Sequence, residues 1–294
     1  MTSTTPDPAT LAPLPDRGLL LVSGPDVTDF LQGMATCNFD NLTDENTLYG
    51  AHLSHQGRVL YDFFAFKWPF TLSANSTAIA LDCHKQSLMA FAKSLHDHKM
   101  RFKIEFEDLS DEYGIYADLS NASDPGKLFV RGNNVTLQDP RLASMGARIF
   151  TSEKLSAGKV FEDYETRRIK LGLPDPAYDG KPGKTIVSEL CLEYLGGVDY
   201  KKGCYMGQEM TARTHFRSPP KKRLVSVAYD GKPPVPGAKV KAGKLPVGEV
   251  YSCRDGHGIA IVRVAKALTD DAQLTADGVP LTAKKPAWAE YSIE

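Results

Sequence analysis

The chain has no apolar run approaching the ~18 residues needed to span a bilayer, which argues against a membrane partner. Its five cysteines, Cys37, Cys83, Cys191, Cys204 and Cys253, are odd in number and far apart, and none form a C-x-x-C pair. That argues against a disulfide framework and for a reducing compartment, read as the cytoplasm of a bacterium or, alternatively, the mitochondrial matrix. The start, "MTSTTPDPATLAPLPDRG", has no cationic n-region or apolar h-region, so it does not read as a signal peptide. It also lacks arginine before Arg17, unlike an intact mitochondrial presequence, although a mature form would look the same. There is no phosphate loop, dinucleotide fingerprint or paired-carboxylate signature. Charge of one sign is missing too: the formal net charge is -1, so any electrostatic function is local.

What is present is a globular composition over 294 residues. A chain of this length buries roughly 75% of its unfolded surface and needs no staples. Residues 1–16, with Pro6, Pro8, Pro13 and Pro15, read as a flexible lead-in. "RGLLLVSG" reads as a buried strand, followed by a helix with Val27, Phe30 and Leu31 on one face. "LYGAHLSHQGRVLYDFFAFKW" reads as two strands joined at Gln56-Gly57. "STAIALDC" is another strand, and 84–99 a helix with Leu88, Phe91, Ala92 and Leu95 in a stripe. "RFKIEFEDLS" alternates Phe102, Ile104 and Phe106 as a half-buried strand. "YGIYADL", "KLFVRG" and "ARIF" are further strands. "VFEDYETRRIKLGLP" places Phe161, Tyr164, Arg168 and Leu171 on one helix face, ended by Pro174. This order predicts an α+β core of the split βαβ kind over 17–220. From 221 to 294 short strands punctuated by glycine and proline predict a small β-barrel. "RSPPKKR" (217–223) is the boundary.

One segment stands out chemically: "KKGCYMGQEMTARTHFRSPPKKR" (201–223). Cys204 lies in a glycine turn beside Lys201 and Lys202. Nearby cations favour thiolate, the form that acts as nucleophile and metal ligand. Gly203 and Gly207 permit a tight turn or close approach. Gln208 and Glu209 can orient a partner group, and Arg213, His215 and Arg217 add positive charge. The competing reading is an inert buried cysteine beside a solvated charge run. Cys191, Cys204 and His215 match no compact zinc spacing. A Cys204–His215 nucleophile–base pair lacks a third orienting group. Tyr205 and Phe216 could stack on nucleic acid, but the segment is short and the chain is not basic, so a small anionic ligand fits better. His52 and His55 flank the first hairpin and line a pocket or are ordinary strand histidines.

This segment resembles the signature of the YgfZ-type folate-binding iron–sulfur cluster assembly factors. The pattern maps onto Lys202, Gly203, Cys204, Tyr205, Gly207, Gln208 and Glu209, then Thr211, Ala212, Arg213 and His215. "RGLLLVSGPDVTDFLQGMATCNFDNL", "LSHQGRVLYDFF", "YETRRIKLGLP" and "KKRLVSVAYDG" fit as well. Two positions depart: Phe216 stands where a second histidine is common, and Cys191 where asparagine is usual. The resemblance implies the fold of the glycine cleavage aminomethyltransferase, with interleaved ferredoxin-like α+β modules and a C-terminal barrel. It implies a tetrahydrofolate-binding factor, monomeric when free, that matures [4Fe-4S] client enzymes with an A-type cluster carrier. Cys204 is then the catalytic thiol and a cluster ligand shared with the partner, and Cys191 a possible second donor. Arg58, Lys202 and Arg213 are the cations for the folate tail. No counterpart of the transferase's catalytic aspartate is evident, so a non-enzymatic maturation role is preferred over one-carbon transfer.

Overall fold

A computed structural model describes residues 6–70, 77–120, 124–217 and 220–293. In chain order the core strands are β1 (Leu11–Pro13), β2 (Arg17–Ser23), β3 (Thr47–Leu53), β4 (Val59–Lys67), β5 (Ala78–His84), β6 (Glu105–Asp108), β7 (Gly114–Asp118), β8 (Leu128–Arg131), β9 (Asn134–Gln138) and β10 (Ala147–Thr151). Helix α1 is Val27–Met34 and α2 is Leu88–His96. The strands form two five-stranded sheets, ordered β3-β4-β5-β2-β6 and β1-β7-β10-β9-β8. Contacts divide the chain into two units. The first comprises Met1–Leu53, Leu60–Tyr164 and Leu195–Met206, and the second Ser54–Val59, Glu165–Tyr194 and Gly207–Glu294.

In the first unit, β2 is buried along most of its length and β5 throughout, because the sheet is covered on both faces. One face, through Leu20, Val22, Phe63, Ala65, Ile79, Leu81 and Cys83, packs with α1 and α2. Helix α1 buries Val27, Phe30, Leu31 and Met34, an i, i+3, i+4, i+7 stripe. Each such side chain contributes about 1.5–3 kcal/mol relative to exposure. The opposite face meets the second sheet, where Phe66 and Phe150 lie with ring centroids 5.0 Å apart. Asp82 is wholly buried there and accepts from Arg17 Nε at 2.9 Å and from Arg148.

The expected lead-in differs from the structure. Strand β1 pairs antiparallel with β7, and Leu11 and Ala12 are buried. Edge position is what allows Pro13 in it, since an edge strand need not donate every N–H. The first five residues of that lead-in, Ser76 of "STAIALDC", and Ser218 and Pro219 of the expected boundary fall outside the described residues.

The chain passes from the first unit into the second along α3 (Phe161–Lys170), which stops before the expected Pro174. Gly172, at φ +65, ends it, with backbone bonds from Gly172 to Ile169 and from Leu173 to Arg168. After α4 (Gln208–Phe216) come β11 (Lys222–Ala228), β12 (Lys239–Ala242), β13 (Leu245–Arg254), β14 (His257–Arg263), the short α5 (Val264–Ala267), β15 (Leu274–Ala276) and β16 (Val279–Lys284). The strands close as a barrel, β11-β14-β13-β12-β15-β16, with β16 pairing back to β11. The last two strands were not anticipated from the sequence. Their signal was Asp277-Gly278, whose φ values of +51 and +79 suit a tight hairpin.

Candidate functional site

The Cys204 segment is built from the end of α1. Asp199 accepts from the backbone N–H of Lys201 (2.7 Å) and Lys202 (3.1 Å), folding the chain into an Asx-type turn. Asp199 N–H donates to the Thr36 carbonyl at 2.9 Å, and Thr36 Oγ1 donates to the Gly197 carbonyl at 2.6 Å. Lys202 then reaches inward. Its Nζ donates to the carbonyls of Gln32 (2.8 Å), Ala35 (2.8 Å) and Cys37 (2.6 Å). Past the thiol, Met206 N–H donates to the Gly33 carbonyl at 3.0 Å. Helix ends leave carbonyls without helical partners, and a cation there also suits the helix dipole. Tyr205 is buried, with Lys202 Nζ 5.1 Å from its ring centre, whereas Gly203 and Cys204 are exposed.

Lys202 therefore does not serve as the solvent-facing cation expected beside the thiol or at a folate tail. An ammonium has three donors, and here all three are bonded to backbone. Burial draws its amine down to about 8, against the opposing pull of Cys37 and Asp199.

Among the cysteines, Cys204 alone is exposed. Burial pushes the Cys37 and Cys191 thiols up to about 12 and that of half-buried Cys253 to about 11, and it raises Cys83 as well. Cys191 as a second cluster donor is thus corrected: it is fully buried, so neither a cluster nor a carrier reaches it. Its backbone has φ +59, a left-handed position where asparagine is among the residues at ease. Among the described residues no group of three or more His, Cys, Asp or Glu is placed to hold a metal ion.

In the second unit, Gly207 at φ +78 precedes α4, and Gln208 is its first residue. Glu209 lies in the first turn and Arg213 and His215 in the last, which complements the helix dipole. Thr211 is buried, whereas Glu209, Arg213, His215 and Phe216 are exposed. The His215 ring meets Phe216 edge-on at 4.6 Å. The hairpin of "LSHQGR" sits on the start of this helix. A Cβ added at Gly57, φ +70, would lie 2.6 Å from Met210 Cβ and 2.9 Å from the Gly207 carbonyl, so only glycine fits. Arg58 is half-exposed and donates through Nη1 to the Lys184 carbonyl at 2.9 Å. His52, by contrast, is a core residue in the first unit. Its ring nitrogens lie 2.9 Å from the Met34 carbonyl and 2.9 Å from Ser94 Oγ.

Two features escaped the sequence reading. Arg168, fully buried, holds both Glu165 oxygens, Asp179, the Leu173 carbonyl and Ser252 Oγ. Its place on the inner face of α3 was legible, but its partners on the barrel and the 175–179 turn were not. In the first unit a cavity of about 470 Å³ lies over Ile149, walled by Phe129 and Thr10 and rimmed by Arg131, Asn134 and Gln138. No residue of the "LSHQGRVLYDF" hairpin lines it.

Comparison with known proteins places these features. Residues 221–291 match the family described as CAF17, C-terminal beta-barrel domain. The glycine cleavage system aminomethyltransferase T of Bartonella henselae superposes with a TM-score of 0.74 over 95% of this chain and 86% of that one. Its sequence identity is 14%, so the likeness concerns the fold alone. The mitochondrial iron-sulfur cluster assembly factor IBA57 of Mus musculus is 32% identical, over 94% of this chain and 84% of its own length. The Homo sapiens protein of that name is 30% identical, over 85% and 76%. The Neurospora crassa homologue is 28% identical over 77% of this chain, which spans 55% of its length. An aminomethyltransferase-like core with a CAF17-type barrel and this degree of identity lead to one assignment: the chain belongs to the IBA57 family of iron–sulfur cluster assembly factors.

Proposed function

We propose that the protein matures [4Fe-4S] enzymes by offering Cys204 as one ligand to a cluster whose remaining ligands come from an A-type carrier. The observation that supports this is the contrast among its thiols: one is exposed on an anchored loop, and the others are buried or half-buried. Clusters of this kind take four thiolates, and one from this chain plus three from a cysteine-rich carrier complete the shell. The cluster is cargo here. Cys204 contributes a sulfur, and its proton leaves to solvent as the bond to iron forms. The relatives are named as mitochondrial, which favours the mitochondrial compartment over the bacterial cytoplasm, and among the described residues no helix is long and apolar enough to cross a membrane. The test is complementation. Cys204→Ser should fold normally yet fail to restore [4Fe-4S] enzyme activity in cells lacking their own factor. Full restoration would overturn the proposal.

Reduced folate belongs to the same proposal as a ligand of the α+β core. Of the three cations expected at its glutamate tail, Lys202 does not fit because its donors are spent. Arg58 and Arg213 do fit, as guanidiniums that are half-exposed and exposed. When bound, a reduced folate supplies a one-carbon carrier, and these arginines would hold its carboxylates as charge-assisted pairs. Calorimetric titration of the full chain with tetrahydrofolate should show binding that weakens in Arg58→Ala and Arg213→Ala. The fold likeness to aminomethyltransferase does not itself argue for transfer, since fold does not imply function. Incubation with methylene- or aminomethyl-folate should give no turnover.

A further inference from the structure

The loop that carries Cys204 is fastened at equal intervals on either side of the thiol. Lys202 lies two residues before it and Met206 two residues after, and both bond to the end of α1. Two residues span at most about 7 Å, so each anchor holds the Cys204 backbone closely. Between the anchors, Gly203 has open space around the position of a Cβ and Cys204 is exposed, so no packing fixes that part of the loop, whereas Tyr205 is buried with the Lys202 ammonium 5.1 Å from its ring centre. The place of the exposed Gly203-Cys204 pair therefore comes from the anchored residues on either side, with Lys202 the one before it.

We infer that Lys202 is a positioning residue for Cys204: its ammonium, gripped by the Gln32, Ala35 and Cys37 carbonyls, docks the loop on the end of α1 and fixes where the thiol is offered. The inference rests on the cluster-sharing proposal and adds to it the device that orients the ligand. Side-chain chemistry supports lysine specifically. Three carbonyls converge on one nitrogen, which suits a compact three-donor ammonium and not the planar fork of arginine. A fold that needed only stability there could use an apolar side chain, because burying a cation is costly. What the ammonium adds is one fixed arrangement of two chain segments. A ligand held in its bound geometry loses less entropy when a partner docks.

The test uses the full chain as wild type, Lys202→Met, Lys202→Arg, and Val225→Ala, a buried barrel position outside the site. Hydrogen exchange is read at the Asp199 and Met206 amides, which bond to Thr36 and Gly33. Complex formation is read with an A-type carrier loaded with a [2Fe–2S] cluster. In Lys202→Met both amides should exchange at least about tenfold faster, and the bridged complex should weaken by about tenfold. Iodoacetamide should still alkylate Cys204 within about twofold of the wild-type rate, because the thiol is already exposed. Val225→Ala should melt earlier yet keep both amide protection and complex. If Lys202→Met does not fold, Lys202→Arg, which keeps the charge but not the three-way geometry, should show the same faster exchange. Unchanged exchange at both amides, an unweakened complex, or an equal loss in Val225→Ala would overturn the inference. If the wild type itself forms no bridged complex, the cluster-sharing proposal falls and the exchange result alone decides the role of Lys202.

Discussion

Arg168 and Lys202 are both buried cations, and they are buried in opposite ways. Arg168 is surrounded by acid: it holds Glu165 through two bonds and Asp179 through a third, with Ser252 and the Leu173 carbonyl completing its donors. Lys202 is held by neutral carbonyls at the end of a helix. Arg168 and the two carboxylates it holds are buried, whereas two residues beyond Lys202 the chain emerges at an exposed thiol. A paired, fully satisfied charge fixes a scaffold. A charge that ties a loop to a helix end fixes the place of what the loop carries. Both lie in segments with an excess of basic over acidic residues, "YETRRIKLGLP" and "KKGCYMGQEM", so local charge does not distinguish scaffold from site.

The comparison breaks most visibly in stability. Arg168→Met would leave the Glu165 and Asp179 carboxylates buried without their partner. It should destabilise the protein by about 3–5 kcal/mol, read from urea or thermal unfolding. Cys204→Ser should change stability by less than about 0.5 kcal/mol, since the side chain is exposed. Equal losses in the two variants would erase the distinction. Thiol chemistry sharpens it next. Under native conditions iodoacetamide should modify Cys204 first, with Cys37, Cys83 and Cys191 slower by at least about a hundredfold, because they react only when the fold opens. Mass spectrometry of the digested protein reads the order, and early labelling of Cys191 would contradict its enclosure.

The smallest effect concerns Glu249 of the barrel and the two lysines that meet it. Hydrogen bonds from Lys181 and Lys239 hold the half-buried Glu249 carboxyl down at about 2. A depressed carboxyl binds fewer protons folded than unfolded, so its stabilisation is full above the ordinary glutamate value of about 4.3. It is lost as pH falls from there towards 2. Glu249→Gln should remove that part of the acid dependence and less than about 1 kcal/mol of stability at neutral pH, as solvent screens the lysines. A variant whose melting profile between pH 5 and pH 2 matches the wild type's would show that neither lysine holds Glu249 in solution.

Much of the fold was legible because hydrophobic period carried it. The stripe Val27, Phe30, Leu31 gave α1, and the run at Gln56-Gly57 gave the first hairpin with its glycine turn. The edge strand Leu11–Pro13 was not legible, because Pro13 and the nearby Pro8 and Pro15 read as breakers and only pairing with β7 makes it a strand. The site was half legible. Cys204 and its glycines stand out in any reading, and the motif located them. The direction of Lys202 did not stand out, since nothing local says that a lysine beside an exposed thiol turns inward. Its acceptors lie some 165 to 170 residues away in sequence. The turn at Asp199, two and three residues before the amides it accepts from, was the one available clue.

The most direct test of the account is anaerobic reconstitution of this protein alone, of an A-type carrier alone, and of their mixture, followed by absorbance and size exclusion. The account predicts that this protein alone holds no stable cluster. It predicts that the mixture elutes as a cluster-bearing complex, and that Cys204→Ala abolishes that complex while leaving the fold intact. A full-occupancy cluster on this protein alone, or a mixed complex whose cluster survives Cys204→Ala unchanged, would contradict it.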